Sequence, residues 1–254
     1  MLKPNQIAEN YISVGQGKVG QSALKTFLLA ILAGAFIAFA GVGATFGNVY
    51  FNKVIGAMIF PGGLAMVILA GSELFTGNCL LIIPFLQGKI KGSQLVKNLA
   101  LVYAGNFVGA LFVAVITVFS GATDIIADVV LSVAETKATL SFLPAFFKGV
   151  ACNLLVCLAV WMAFSAETAG GKIAAIFFPI TIFVVAGFEH CVANMYYLPA
   201  GFFMALKEGI TANGLTIVNA LVNNLLPVTL GNIVGGMLLG VMYNAIYLSK
   251  KKEQ

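Results

Sequence analysis

The sequence lacks arginine, has one histidine and holds few charged residues, since Asp, Glu, Lys and Arg make up 9% of its 254 positions. Soluble domains carry about a quarter of such residues, so a soluble globular protein is excluded. The four cysteines lie in apolar segments and are too few for a disulfide scaffold. No metal-ligand spacing, acid dyad or nucleophile triad is visible. We therefore predict no metal site, no cofactor and no enzyme.

Hydrophobic residues dominate instead, at 60% of the chain with a mean hydropathy of +1.01. A helix that spans a bilayer needs about 20 apolar residues. Four runs have that length, namely 27–46, 99–121, 142–166 and 225–248. The 14 basic residues are all lysines and cluster by segment, so they indicate membrane orientation rather than nucleic-acid binding.

Two further apolar runs, 54–86 and 173–206, are too long for one straight span. Each would extend roughly 50 Å as a helix, against a hydrocarbon core of about 30 Å. Polar and glycine residues interrupt the first run at 71–78 and the second at 187–194. We predict an all-α membrane protein with six transmembrane helices, of which the second and fifth are broken into half-helices.

Two matches relate the halves of the chain. Segments 71–78 and 187–194 share Gly-x-Glu-x-x-x-small-Asn, and 105–109 and 231–235 share Gly-Asn-x-Val-Gly. They predict a duplicated three-span unit, whose copies are inverted because three is odd. Inverted repeats with matching breaks indicate a site near the membrane midplane. The predicted single transmembrane domain, 1–254, comprises a membrane-surface segment (1–23), a first repeat (24–121) and a second repeat (142–248).

Lysine placement predicts the orientation. If both termini are cytoplasmic, ten lysines lie inside, including Lys250, Lys251 and Lys252. Four then lie outside, namely Lys53, Lys137, Lys148 and Lys207. The excess of lysine inside favours this arrangement, and we predict a multi-pass protein of the cell (inner) membrane.

His190 lies in the second break, next to Glu189. An ionisable side chain inside a bilayer marks a pathway by default, so a pore or proton-transfer role is predicted, with packing as the alternative. Glu73 occupies the repeat position of Glu189. Each carboxylate is expected to accept backbone N–H bonds from a freed helix start, and the alternative is that Glu189 tunes His190.

Other polar residues fall at membrane depth or near its outer side. Interhelical bridges are the first interpretation, and contact with a ligand the second, for Asn78, Asn106, Asn153, Asn194 and Asn232. Lys137 and Lys148 are predicted to attract an anion to the outer mouth, unless Lys148 extends to the lipid headgroups.

Four segments, AGSELFTG at 70–77, CNLLVCL at 152–158, GFEH at 187–190 and GNIVGG at 231–236, resemble the formate/nitrite transporter family. The likeness covers nearly the whole chain, in order. It implies an aquaporin-like protomer, a homopentamer with one pore per subunit, and small anions as the transported partners.

The resemblance also implies roles for individual residues. His190 matches the central histidine, Thr76 the loop threonine, Asn153 the pore asparagine and Lys137 the mouth lysine. The constriction positions match Phe60, Leu64, Phe75 and Phe183. Lys148 departs from the formate-type pattern, and the overall likeness is closer to the hydrosulfide-channel branch.

The expected function is a channel or transporter for monovalent anions of weak acids such as hydrosulfide, formate and nitrite. A bare anion loses too much hydration in an apolar constriction, so lysine would attract it, His190 or water that it orders would supply a proton, and the neutral acid would cross. One alternative is an aquaporin-like neutral-solute channel, although Asn78-Cys79-Leu80 and Asn194-Met195-Tyr196 stand where that family has Asn-Pro-Ala. A proton-coupled anion carrier is another.

Overall fold

A computed structural model describes residues 1–249, so Lys250, Lys251 and Lys252, which the lysine count places on the inner side, lie outside the described residues. Within 1–249 the chain forms helices and turns and no strand. Helices long and apolar enough to cross a membrane are Ala23–Tyr50, Gly92–Phe119, Phe142–Ser165 and Ile217–Tyr247. These four correspond to the four simple apolar runs of the sequence.

The helices are, in chain order, α1 (Pro4–Gly20), α2 (Ala23–Tyr50), α3 (Lys53–Ile59), α4 (Pro61–Leu69), α5 (Phe75–Asn78), α6 (Ile82–Leu86), α7 (Gly92–Phe119), α8 (Ala127–Ala138), α9 (Phe142–Ser165), α10 (Ala169–Val185), α11 (Cys191–Glu208), α12 (Ile217–Asn219) and α13 (Leu226–Tyr247). Short 3₁₀ turns join α5 to α6 and precede α8, and a π-helical turn joins α12 to α13.

Two long helix pairs form the frame, α2 with α7 and α9 with α13. Glycines at their contacts allow the backbones to touch. A Cβ on Gly109 would overlap the carbonyl oxygen of Ile31, and a Cβ on Gly231 would overlap that of Phe146. Small residues permit this close approach between membrane helices.

Both broken regions end their first half-helix in the same way. α4 is followed by Gly71 and α10 by Gly187, with φ of +71° and +69°, a left-handed conformation that favours glycine. The N–H groups of Ser72 and Phe188 then bond back to the carbonyl oxygens of Val67 and Phe183, at 2.9 and 3.0 Å. The chain continues in an extended conformation until α5 and α11 begin.

Helix α1 packs its apolar face onto the bundle. Ile7, Ala8 and Tyr11 are buried, and the Leu2 N–H donates to the carbonyl oxygen of Ser165 at 3.0 Å. The apolar face of the predicted surface segment is therefore covered by protein within this chain.

Helix α8 is not anticipated by the sequence patterns. It lies between the two predicted repeats and packs against α11, burying Val130, Leu131 and Ala134. Its short length and its charged residues, among them Asp128 and Glu135, give no membrane-span signal.

Candidate functional site

Two cavities enter the molecule from opposite ends between the half-helices. The one beside Lys137, here called the outer vestibule after its predicted side, has a volume of about 190 Å³ and is also lined by Lys53, Phe60, Phe183 and His190. The inner vestibule has about 210 Å³ and is lined by residues that include Lys18, Leu64, Ser72, Leu74 and Lys172.

A central chamber of about 10 Å³ lies between the vestibules. Phe60 and Phe183 border both the chamber and the outer vestibule, whereas Leu64 and Leu74 border both the chamber and the inner vestibule. A water molecule needs at least about 10–15 Å³ of such space, so the chamber holds one water-sized molecule at most. The path is thus closed by two apolar constrictions.

The constriction differs from the sequence expectation at one position. Phe75 lines none of these three cavities, and its ring packs against that of Tyr103 with centroids 4.9 Å apart. α5 begins at Phe75, which turns its side chain towards α7, while Leu74 is the last extended residue and reaches the chamber. The sequence does not reveal Leu74 as the lining residue because the two apolar residues are adjacent.

His190 borders both the outer vestibule and the chamber and is 3% exposed. Its Nδ1 accepts a hydrogen bond from the Ala193 N–H at 3.1 Å, and its Nε2 lies 3.0 Å from Thr76 Oγ1. Because a backbone N–H can only donate, Nδ1 carries no proton, and the neutral ring then holds its proton on Nε2. The imidazole therefore donates to the Thr76 hydroxyl, which keeps its own hydrogen for another acceptor.

Each broken region also carries a buried ion pair. Lys18 Nζ lies 2.8 Å from Glu73 Oε2, and Lys137 Nζ lies 2.9 Å from Glu189 Oε1. The asparagine five residues after each glutamate donates to that carboxylate, Asn78 at 2.7 Å and Asn194 at 2.6 Å. The lysines come from α1 and α8, so each of these helices supplies the cation for the buried glutamate of one broken region.

The glutamates differ here from the sequence expectation. Glu73 and Glu189 accept from lysine and asparagine side chains rather than from the freed helix starts. The helix starts are served by other asparagines, because Asn106 Oδ1 accepts the Phe75 N–H and Asn232 Oδ1 the Cys191 N–H, both at 2.9 Å.

Asn106 and Asn232 also donate to unwound backbone. Asn106 Nδ2 bonds the carbonyl oxygens of Ala30 and Glu73, and Asn232 Nδ2 bonds those of Gly149 and Glu189. Irregular backbone at membrane depth requires such partners because lipid offers none. The interhelical interpretation of these asparagines fits the geometry.

Asn153 lies outside the cavities and hydrogen-bonds the backbone near the centre of the molecule. Its Nδ2 donates to the carbonyl oxygens of Thr76 at 3.2 Å and Asn232 at 2.6 Å, and it lines none of the three cavities. It therefore positions the loop that carries Thr76.

The predicted outer lysines separate into different environments. Lys137 lines the outer vestibule, but Glu189 compensates its charge, and Lys148 lines none of the three cavities. Lys53 also lines the outer vestibule and forms no ion pair within the described residues. The lysine count places Lys53 on the outer side without assigning it to the mouth, since nothing in its local sequence marks it.

Within residues 1–249, no group of three or more His, Cys, Asp or Glu side chains is placed to hold a metal ion. The chamber itself is lined by apolar side chains and one imidazole, that of His190.

Comparison with known proteins identifies relatives over the whole chain. The formate/nitrite transporter family model matches residues 5–246. The formate channel FocA of Haemophilus influenzae is 37% identical and that of Escherichia coli K12 is 38% identical, each alignment covering 98% of this chain and 95% of the relative.

Solved structures agree with this result. A pentameric formate channel with formate bound has a TM-score of 0.78 at 36% identity, covering 89% of this chain and 98% of its own. A formate/nitrite transporter (FNT) family ion channel has a TM-score of 0.81 at 33% identity, covering 94% of this chain and 96% of its own. These relatives are channels, and the chain belongs to the formate/nitrite transporter family.

Proposed function

We propose that this protein is a membrane channel for small monovalent anions of weak acids, and that each anion crosses the centre as its neutral acid. The observation that carries the proposal is the chamber of about 10 Å³ between two apolar constrictions, with His190 as its polar wall. Formate is the first candidate substrate, because both FocA relatives and the pentameric solved structure are named formate channels.

Loss of hydration opposes the passage of a bare anion through the constrictions. An ion in a low-dielectric passage loses hydration worth many kcal/mol, and Phe60, Phe183, Leu64 and Leu74 offer no polar compensation. A neutral acid avoids most of this cost. Lys53 supplies net positive charge at the outer mouth, where it raises the local anion concentration.

The proton step follows from the bonding of His190. Its Nε2–H donates to the Thr76 hydroxyl, a fully buried group that lines none of the three cavities, so this bond fixes the orientation of the imidazole at the chamber wall. Protonating Nδ1 would place two donors against each other at Ala193. The ring therefore stays neutral, and the positioned proton donor is water at the chamber: hydronium gives its proton to the anion, which leaves water and the neutral acid.

Replacing His190 with asparagine tests this step. Asparagine is a good helix N-cap and can still accept the Ala193 N–H, but it cannot reach Thr76. We expect formate flux into liposomes to fall by about a hundredfold, the low end of the usual contribution of a positioned proton donor. The rise of flux with falling pH should be lost as well.

Thr76→Ser and Thr76→Val provide matched controls for the hydrogen bond between His190 and the Thr76 hydroxyl. Serine keeps the hydroxyl and should retain most of the flux, whereas valine removes the hydroxyl at similar volume and should behave like His190→Asn. If His190→Asn keeps both the wild-type flux and its pH dependence, the proton step is wrong.

The constrictions predict a second effect. Phe60→Ala should enlarge the chamber, so we expect water and chloride to pass more readily through this variant than through the wild type. Phe75→Ala is the control, because it removes the same ring from a site that borders none of the cavities. Stopped-flow swelling and chloride flux in liposomes measure both variants. Equal leakage through the two variants would place the barrier elsewhere.

Substrate choice within the family stays a prediction. Sequence likeness favours hydrosulfide, while the relatives' names favour formate. A liposome flux panel of hydrosulfide, formate, nitrite, acetate and chloride across pH separates these possibilities. Chloride has no weakly acidic form to exploit, so chloride flux equal to formate flux would remove the need for protonation.

We also propose the membrane arrangement. The chain crosses six times, with α3 to α6 forming the second crossing and α10 with α11 the fifth, and both termini lie in the cytoplasm of the inner membrane. The interruptions at 70–74 and 186–190 support the broken spans. The pentameric solved relative supports a homopentamer. Native mass spectrometry and labelling of cysteines introduced at each end test these points.

A further inference from the structure

A fourth cavity lies outside the proposed transport path, where the end of α1 meets the starts of α2 and α7. Its volume is about 170 Å³. Its polar lining consists of Lys18, Gln21, Thr26, Gln94, Lys97 and Asn98, and among the described residues no acidic side chain lines it. The cavity is thus rich in hydrogen-bond donors, and Lys97 adds positive charge, whereas the charge of Lys18 is compensated by Glu73.

Asn98 is the buried donor of this cavity. The residue is 4% exposed, and its Oδ1 accepts from Asn78 Nδ2 at 2.9 Å, which fixes the orientation of the amide. Its Nδ2 is therefore directed away from that bond and has no partner within residues 1–249, although Asn98 lines the cavity. This amide therefore offers a hydrogen-bond donor to an acceptor in the cavity.

In the second half of the molecule, the equivalent side-chain amide has hydrogen-bond partners within the protein. Asn224 corresponds to Asn98, since its Oδ1 accepts from Asn194 at 2.6 Å. Its Nδ2 donates to the carbonyl oxygen of Lys137 at 3.1 Å and to Glu189 Oε2 at 3.3 Å. The outer half satisfies this amide internally, whereas the inner half leaves it facing a cavity.

We propose that this cavity is a binding site for a phosphate group. A phosphate has three strong acceptor oxygens and a negative charge, which match Asn98 Nδ2, Lys97 and the Thr26 hydroxyl better than the two oxygens of a carboxylate do.

Two sources can supply this chemistry, soluble phosphate or an anionic phospholipid. Leu24, Leu28 and Val96, on α2 and α7 beside the cavity, are exposed apolar side chains that a lipid would contact. Lys18 lines both this cavity and the inner vestibule, so the bound group lies beside the transport path without entering it.

The test uses the full-length protein purified in phosphate-free detergent buffer and titrated with sodium phosphate at constant ionic strength. Saturable binding, by calorimetry and by thermal stabilisation, is expected for the wild type. Lys97→Gln should weaken binding by about tenfold, the effect of losing one hydrogen bond to a charged group. Asn98→Asp keeps an acceptor for Asn78 but adds a repelling charge, and should abolish binding.

Lys89→Gln is the matched control, because Lys89 is an exposed lysine of the same end that does not line the cavity. Native mass spectrometry of protein held in phosphatidylglycerol nanodiscs distinguishes the sources. A lipid retained by the wild type and lost from Lys97→Gln assigns the phosphate group to lipid, and saturable binding of inorganic phosphate alone assigns it to the solution. An absence of both, or equal responses from all variants, would overturn the proposal.

Discussion

Replacing Glu189 with leucine is expected to destabilise the protein by about 3–5 kcal/mol, because Lys137 would keep a buried charge without its partner. The Lys137 side chain is 14% exposed and that of Glu189 7%, so water of the outer vestibule replaces the lost carboxylate only in part. Asn194 and Asn224 lose an acceptor at the same time. Thermal or denaturant unfolding in detergent measures the loss.

Two comparisons isolate the charge effect. In Lys137→Met with Glu189→Leu, both charges are removed, and stability should recover in part because an apolar pair often replaces a buried ion pair at little cost. Asp124→Asn breaks the more exposed pair with Lys207 and should cost at most about 1 kcal/mol. Equal losses for the single and double variants would show that charge is not the cause.

Gly109→Ala and Gly231→Ala should each cost about 1–3 kcal/mol or more, the range for forced overpacking. The new Cβ would overlap the carbonyl oxygen of Ile31 in the first case and that of Phe146 in the second, and backbone atoms cannot rotate away as side chains do. Unfolding midpoints in detergent report the effect, together with the yield of folded protein.

Gly17→Ala is the control for these two variants. Gly17 lies in α1, and no neighbouring atom lies within 4 Å of the position that an alanine Cβ would take, so alanine should stabilise that helix by about 0.5–1 kcal/mol. Opposite signs for the control and the two contact glycines are expected. A stabilising effect of Gly109→Ala would contradict the close packing of α2 on α7.

The positions of the half-helices could be anticipated from the sequence. Segments 71–78 and 187–194 combine glycine, glutamate and asparagine inside apolar runs that are too long for one span, and a break is the simple explanation. His190 could be placed at the centre for the same reason. These features depend on local composition and on length, which the sequence displays directly.

The partners of those residues could not be anticipated. Lys18 reaches Glu73 only because α1 folds onto the bundle, and Lys137 reaches Glu189 through α8, which carries no span signal. Leu74 rather than Phe75 lines the constriction because α5 begins at Phe75. Such facts follow from tertiary packing and helix phase, and a linear pattern does not contain them.

The hydrogen bond between Thr76 and His190 joins the two interrupted regions, whose similar sequences predict a duplication. At the corresponding positions of the opposite copies stand Val192 and Leu74, so each half contributes one polar group and one aliphatic group. On the proposed path, a molecule from either side therefore meets an apolar constriction before it reaches His190. With apolar barriers on both sides, we expect flux under equal and opposite gradients to be similar in the two directions.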